Sequence, residues 1–245
     1  MQLSTDKILQ ASKKMVGKLH KTFPAKHLDI GSGHGDLIAL LRSNFVLQST
    51  ACDYTDTLMH LEDVKVDVVD LNIDKLPYQN ASFNLVTCTE VIEHLEHYRE
   101  TLREVYRVMQ TGGTFVLTTP NILNLKSRMR FLVFGFYNLF GPLHFKESEL
   151  HTTGGHINPI GLFFLIHSLI DAGFINIEVT IDKKQGTSKF WMFFLYFPIQ
   201  LFSAITRRKE WKKYKTIDSY NEPYVKMINR TDILLGRTIV IGCTK

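Results

Sequence analysis

His27-Leu28-Asp29-Ile30-Gly31-Ser32-Gly33-His34-Gly35-Asp36-Leu37 decides the fold of this 245-residue chain. An apolar strand runs into a glycine-rich turn and out into a helix, the layout of a loop that cradles a nucleotide cofactor. Glycines at alternate positions let the backbone curl and approach a ligand where a Cβ would clash. The spacing is GxGxG; the dinucleotide pattern GxGxxG would need a glycine where Asp36 stands. A pyrophosphate binds such a helix start through free N–H groups and the helix dipole. Asp36 suits the dipole but repels a diphosphate. That points to a cofactor without phosphate.

Outward from this loop, Val46 to Asp53 reads as a second strand ending in a carboxylate, the place for an acid that accepts both ribose hydroxyls. Val64 to Val69 is a short apolar strand ending at Asp70-Leu71. Leu76-Pro77-Tyr78 and Ser82 to Cys88 read as a loop and the central strand, with Thr89 at its end. Glu90-Val91-Ile92-Glu93-His94-Leu95 is then expected to open a helix, whose apolar positions Leu95, Leu102, Val105 and Val108 recur at helical spacing. Gly112-Gly113 is expected to break it, and Thr114 to Thr119 to form the next strand, stopped by Pro120. Lys7 to Leu19 reads as an amphipathic helix over the front, and Pro159 to Ala172 as a late helix closed by Gly173. Phe174 to Ile181 and Ile233 to Cys243 are expected as a final antiparallel pair of strands. Alternating strands and helices of this length imply a doubly wound α/β sheet.

The glycine loop and second-strand acid closely resemble those of class I S-adenosylmethionine-dependent methyltransferases. The likeness continues in register over residues 25–120, and more weakly over 156–182 and 232–243. It implies a seven-stranded Rossmann-like sheet in one domain (core 25–182 and 232–245) with two inserted aromatic-rich segments, 121–155 and 182–230, of the kind that carry substrate specificity. The implied cofactor is S-adenosylmethionine. Asp29, Gly31, Ser32, Gly33 and Gly35 would hold its methionine end, Asp53 its ribose, and Asp70 with Leu71 its adenine side, with Thr89 also in contact. Asp29 would also accept loop N–H groups and face the cofactor's ammonium.

Methyl transfer from a sulfonium is an in-line displacement, so holding donor and acceptor in line supplies most of the rate. A hydroxyl acceptor must also lose a proton, either to a general base or through a metal ion that acidifies it. Glu90, Glu93 and His94, at i, i+3 and i+4, would share one helix face directly after the central strand. This ExxEH spacing with a later histidine is similar to that of ubiquinone-biosynthesis O-methyltransferases and small-RNA 2′-O-methyltransferases. There it is associated with a divalent metal. The resemblance implies Mg or Mn held by Glu90, Glu93, His94 and His156, with His151 the neighbouring candidate. Without a metal, His94 or His156 is the base and Glu93 pairs with Arg99 or Arg103. His34 reads as loop filler; His144 and His167 read as structural.

Met1 to Met15 carries four charges and no apolar run, unlike a signal peptide. Cys52, Cys88 and Cys243 lie singly in expected strands, as reduced buried thiols of a cytoplasmic protein do. The net charge of +5 is concentrated in Arg207, Arg208, Lys209, Lys212, Lys213 and Lys215 around Glu210. Before this cluster runs an apolar, aromatic stretch, residues 190–206, about 26 Å long as a helix and short of the ~30 Å hydrocarbon core. Lys126, Arg128 and Arg130 likewise precede an aromatic run over 131–140. Both segments are expected either to close over the site as a hydrophobic lid or to meet an anionic membrane surface through 190–215. Contiguous apolar aromatics argue against a base-stacking, nucleic-acid face.

The expectation is therefore a cytoplasmic O-methyltransferase, peripheral at the inner face of a membrane, acting on a small-molecule or lipid-linked hydroxyl acceptor such as a quinone-like or glycan intermediate. RNA ribose methylation and a non-catalytic cofactor-binding scaffold are the alternatives.

Overall fold

The computed structural model describes residues 5–143 and 155–245. Among these residues seven strands, β1 (Ala25–Ile30), β2 (Leu47–Asp53), β3 (Val66–Val68), β4 (Phe83–Thr89), β5 (Met109–Pro120), β6 (Ile175–Ile181) and β7 (Thr238–Thr244), make one sheet. Their order is β3-β2-β1-β4-β5-β7-β6. β1 to β5 pair in parallel, and β7 runs antiparallel to both β5 and β6. The expected doubly wound sheet and its antiparallel final pair are both present. Strand order reverses between β1 and β4, so the loops leaving their carboxyl ends diverge and open a crevice there.

Among the described residues, eight α-helices surround the sheet: α1 (Asp6–Leu19), α2 (Asp36–Arg42), α3 (Tyr98–Val108), α4 (Leu125–Phe134), α5 (Leu162–Ala172), α6 (Gly186–Lys209), α7 (Glu222–Met227) and α8 (Thr231–Leu235). Strands covered on both faces read as near-continuous apolar runs, and Leu28, Ile30, Leu85, Val86, Val116 and Leu117 are all fully buried. On one face the sheet packs against Leu102 and Val105 of α3 and Leu165 and Leu169 of α5. On the other it packs against Met15 and Val16 of α1 and Leu37 and Leu41 of α2. α1 crosses β7 so closely that a Cβ on Gly242 would lie 2.4 Å from Leu19 Cδ1. The three cysteines are buried and unpaired, as expected.

Several boundaries differ from the sequence reading, each for a tertiary reason. The chain after β4 does not enter a helix at Glu90. Glu90 adopts a left-handed φ of 56°, Ile92–His94 form a single 3₁₀ turn, and α3 starts only at Tyr98. β5 starts at Met109 and absorbs Gly112-Gly113 in an irregular register against β4. Ile233 to Leu235 belong to α8, and β7 starts at Thr238. α6 is longer than its apolar run suggests: 24 residues with Pro198 inside, about 36 Å at 1.5 Å per residue. By length and composition it suffices to cross a bilayer. His144 and His151 lie outside the described residues.

Candidate active site

The crevice holds a cavity of about 290 Å³, lined by the loops after β1, β2, β3 and β4. At its floor Gly31 and Gly33 turn the chain with φ of 68° and 48°. A Cβ on Gly31 would lie 2.2 Å from Val91 Cγ2, so the loop after β1 packs directly on the loop after β4. Gly35 (φ 83°) caps α2 and does not line the cavity; it shapes the loop without touching the space a ligand would take. Asp29, Gly31, Ser32, Gly33, Asp53, Asp70, Leu71 and Thr89 all line it. Ser32 Oγ is buried with no hydrogen-bond partner.

The two acids near the loop divide their work differently from the sequence reading. The loop N–H bond runs to Asp53: Gly33 N–H donates to Asp53 Oδ2 (2.8 Å), and Tyr54 N–H to Oδ1 (2.7 Å). A carboxylate offers about four lone-pair directions, so Asp53 keeps acceptor capacity toward the cavity. Burial raises its pKa, and these N–H groups oppose the rise. Asp29 accepts instead from Thr87 Oγ1 (2.6 Å), which lies 2.7 Å from His27 Nε2. Burial pushes Asp29 up to about 7 and His27 down to about 3.

That shift sets a sign. Asp29, at 3.8 when unfolded and about 7 when folded, binds more protons in the native state between those values. Its contribution to stability is present below about pH 4 and is lost as pH rises through about 7. Asp29→Asn removes that dependence. In ligand-free thermal melts the variant should therefore gain on wild type by a few degrees between pH 5 and pH 8. A difference independent of pH would contradict the assignment.

At the other end of the cavity stand Glu90, His94 and His156. The expected common helix face does not exist, because the residues sit on the turn after β4 rather than on a helix. Glu93, His94 and His156 nevertheless converge, with one ligand atom from each within 4.8 Å of the others. Glu90 stands outside this trio: its Oε1 accepts from Thr118 Oγ1 (2.9 Å), and burial pushes it up to about 7. Glu93 is fully buried behind the cavity wall and does not reach Arg99 or Arg103; Arg103 pairs with Asp171 and Glu100. Thr119 Oγ1 donates to Glu93 Oε2 (3.2 Å), while Oε1 is buried without a partner. Burial, then the neighbouring Glu90, push the Glu93 carboxyl well above the usual range.

His94 Nδ1 lies 3.1 Å from the Gly155 carbonyl, and its ring meets His156 edge-on at 4.7 Å. Burial, then His156, push His94 down to about 4; burial lowers His156 too, and its buried Nδ1 has no partner. Both rings are therefore neutral near pH 7. His156 is delivered by backbone bonds: Ile157 and Asn158 N–H both donate to the Glu93 carbonyl (3.0 and 2.9 Å). His34 lines the cavity and stacks on His60.

Residues 28–117 match the model of the methyltransferase domain family. Over this stretch the chain is similar to class I, S-adenosylmethionine-dependent methyltransferases. It is 30% identical over 153 residues to a probable S-adenosylmethionine-dependent methyltransferase of Mycobacterium tuberculosis, covering 61% of this chain and 47% of that protein. It is 32% identical over 108 residues to a ubiquinone/menaquinone biosynthesis C-methyltransferase of Desulfotalea psychrophila, covering 40% and 43%. The chain thus spans about half the length, or less, of these curated relatives. In fold it is similar to a SAM-dependent methyltransferase from Archaeoglobus fulgidus, with a TM-score of 0.58 at 18% identity over 97% of this chain and 94% of that one. A phosphoethanolamine N-methyltransferase of Haemonchus contortus, solved with S-adenosylmethionine, gives a TM-score of 0.55 at 16% identity over 96% and 52%.

The cavity also takes residues that sequence reasoning passed over. Tyr54 and Asn72 follow the acids at the ends of β2 and β3, and adjacency alone would have found them. Leu139 and Arg237 arrive from afar, Arg237 from the start of β7. Among the described residues, none from 182–230 lines the cavity, and Leu139 alone does so from 121–143.

Proposed function

We propose that this chain transfers a methyl group from S-adenosylmethionine to a hydroxyl oxygen of a quinone-like, lipid-linked or glycan intermediate. The observation that carries the reading is the convergence of Glu93, His94 and His156 at the far end of the cofactor cavity. Asp53 would accept the ribose hydroxyls with its remaining lone pairs, Asp70 and Leu71 would flank the adenine, and Asp29 would face the ammonium. A positive charge beside Asp29 would keep its carboxyl ionised at neutral pH.

The trio fits a divalent cation. Neutral imidazoles and a carboxylate are its ligand forms, and two residues of the trio each keep a buried atom without a partner, Glu93 Oε1 and His156 Nδ1. The mixed O/N set suits Mn, Fe or Zn at least as well as Mg; the family resemblance favours Mg or Mn. A cation bound there would lower the pKa of an acceptor hydroxyl. The acceptor would sit beside the two imidazoles, which line the same cavity as the cofactor-binding residues.

The test is label transfer from S-adenosylmethionine to three acceptors: a catechol, a hydroquinone with a free ring carbon, and a primary amine. The expected product is a methoxy compound from the catechol, with the rate lowered at least about tenfold by a chelator and restored by Mn²⁺. Label found only on carbon or nitrogen would overturn oxygen as the acceptor.

A further inference from the structure

We infer that α4 and α6 together form an in-plane docking face for an anionic lipid bilayer. A helix on a globular protein ordinarily turns its apolar stripe inward. α6 turns much of its apolar surface outward instead. Toward the domain it is anchored by polar groups as well as by half-buried Trp191, Met192, Leu195 and Ile199: Ser188 is fully buried, Gln200 Nε2 donates to the Asn229 carbonyl, and Asn229 donates to Ser203 Oγ. The residues it turns away are Phe190, Phe193, Phe197, Leu201 and Ile205, spaced three and four apart so that they form one stripe. Phe193 and Phe197 are 84% and 76% exposed.

α4 widens this stripe into a surface. It lies against α6, with Lys126 N–H donating to Ser188 Oγ, and leaves Leu132 and Val133 exposed at 74% and 78%. Contiguous exposed apolar area of this kind marks an interaction face. Its chemistry selects lipid. The stripe runs directly into Arg207, Arg208, Lys209, Lys212 and Lys213, which would lie at the headgroup level of a bilayer that buries the phenylalanines. A second copy of the chain would bring the same positive charge to the contact.

Topology decides that α6 lies along the membrane rather than across it. A single crossing would place β7 on the far side, yet β7 is hydrogen-bonded between β5 and β6. α6 is held to the domain along its length: the Lys184–Gly236 bridge fixes the chain just before it, and Gln200 and Ser203 bond to Asn229, which Arg128 of α4 also holds. Leu139, just beyond α4, lines the active-site cavity, so the docking face and the acceptor end of the site share one insertion.

The experiment is co-sedimentation of the full chain with phosphatidylcholine vesicles, with and without phosphatidylglycerol, alongside sedimentation velocity in the absence of lipid. Wild type is expected to bind the anionic vesicles. Phe193→Ser/Phe197→Ser should weaken that binding about a hundredfold. Lys212→Gln/Lys213→Gln should weaken it about tenfold for anionic vesicles and leave the neutral ones unchanged. Thermal melts of these surface variants check that each folds, and a salt titration of wild type gives the charge dependence without any substitution. No binding to anionic vesicles overturns the inference, as does binding indifferent to both pairs. A dimer that Phe193→Ser dissolves, with no vesicle binding, assigns the face to a second copy.

Discussion

Asp53→Ala is expected to weaken S-adenosylmethionine binding about a hundredfold. Hydrogen bonds to a charged group contribute about 1.5–3 kcal/mol, and 1.4 kcal/mol is a tenfold change in affinity. Asp53 acts twice in the proposed complex. Its carboxylate is the ribose acceptor, and it also holds the glycine loop through Gly33 N–H and the next turn through Tyr54 N–H. Alanine removes the first role and leaves the loop's N–H groups without their acceptor. Titration calorimetry of wild type and variant measures the difference. An unchanged dissociation constant would mean that the ribose does not sit at the end of β2.

Glu93→Ala is the second large effect. Methyl transfer should fall about a thousandfold, within the range that general-base or metal assistance supplies. The dissociation constant for S-adenosylmethionine should stay within about twofold, since Glu93 lies behind the wall and makes no contact with the cofactor end. Glu93→Gln separates two roles for the same side chain. It keeps the shape and an acceptor for Thr119 Oγ1 but cannot carry charge. If Glu93 works as a cation ligand, glutamine is nearly as damaging as alanine and Mn²⁺ binding is lost. Full activity in the glutamine variant would mean that Glu93 acts as a neutral hydrogen-bonding group, and the cation would leave the account.

The glycine loop, the acid at the end of β2 and the sheet were legible because each is written locally: apolar runs of strand length, turn glycines and a carboxylate at a fixed offset. The turn holding Glu90, Glu93 and His94 was not. The apolar spacing of Leu95, Leu102 and Val105 extends a helical pattern back through residue 95, whereas α3 begins at Tyr98. What unwinds the first turn is long-range: Thr118 engages Glu90, Thr119 engages Glu93, and the Glu93 carbonyl takes the N–H groups of Ile157 and Asn158. No local signal in 90–97 encodes partners that lie about 25 to 65 positions away. The same backbone bonds bring His156 beside His94.

The inserted segments show a different limit. A helical wheel for α6 reveals its phenylalanine stripe, but amphipathic reasoning assumes that the apolar side faces the core. Only the contacts of Ser188, Gln200 and Ser203 show which side of α6 meets the domain and that the stripe faces outward. Arg237 was invisible for a topological reason. It enters the cavity because β7 inserts between β5 and β6, an order of strands that no local pattern specifies.

The central claim is that the crevice between the loops after β1 and β4 binds S-adenosylmethionine, and titration calorimetry of the full chain with S-adenosylmethionine tests it most directly. Saturable binding at one site per chain, much weaker in Asp53→Ala, is the predicted result. No heat and no rise in melting temperature at millimolar cofactor, from a wild-type protein whose melt shows it folded, would contradict it.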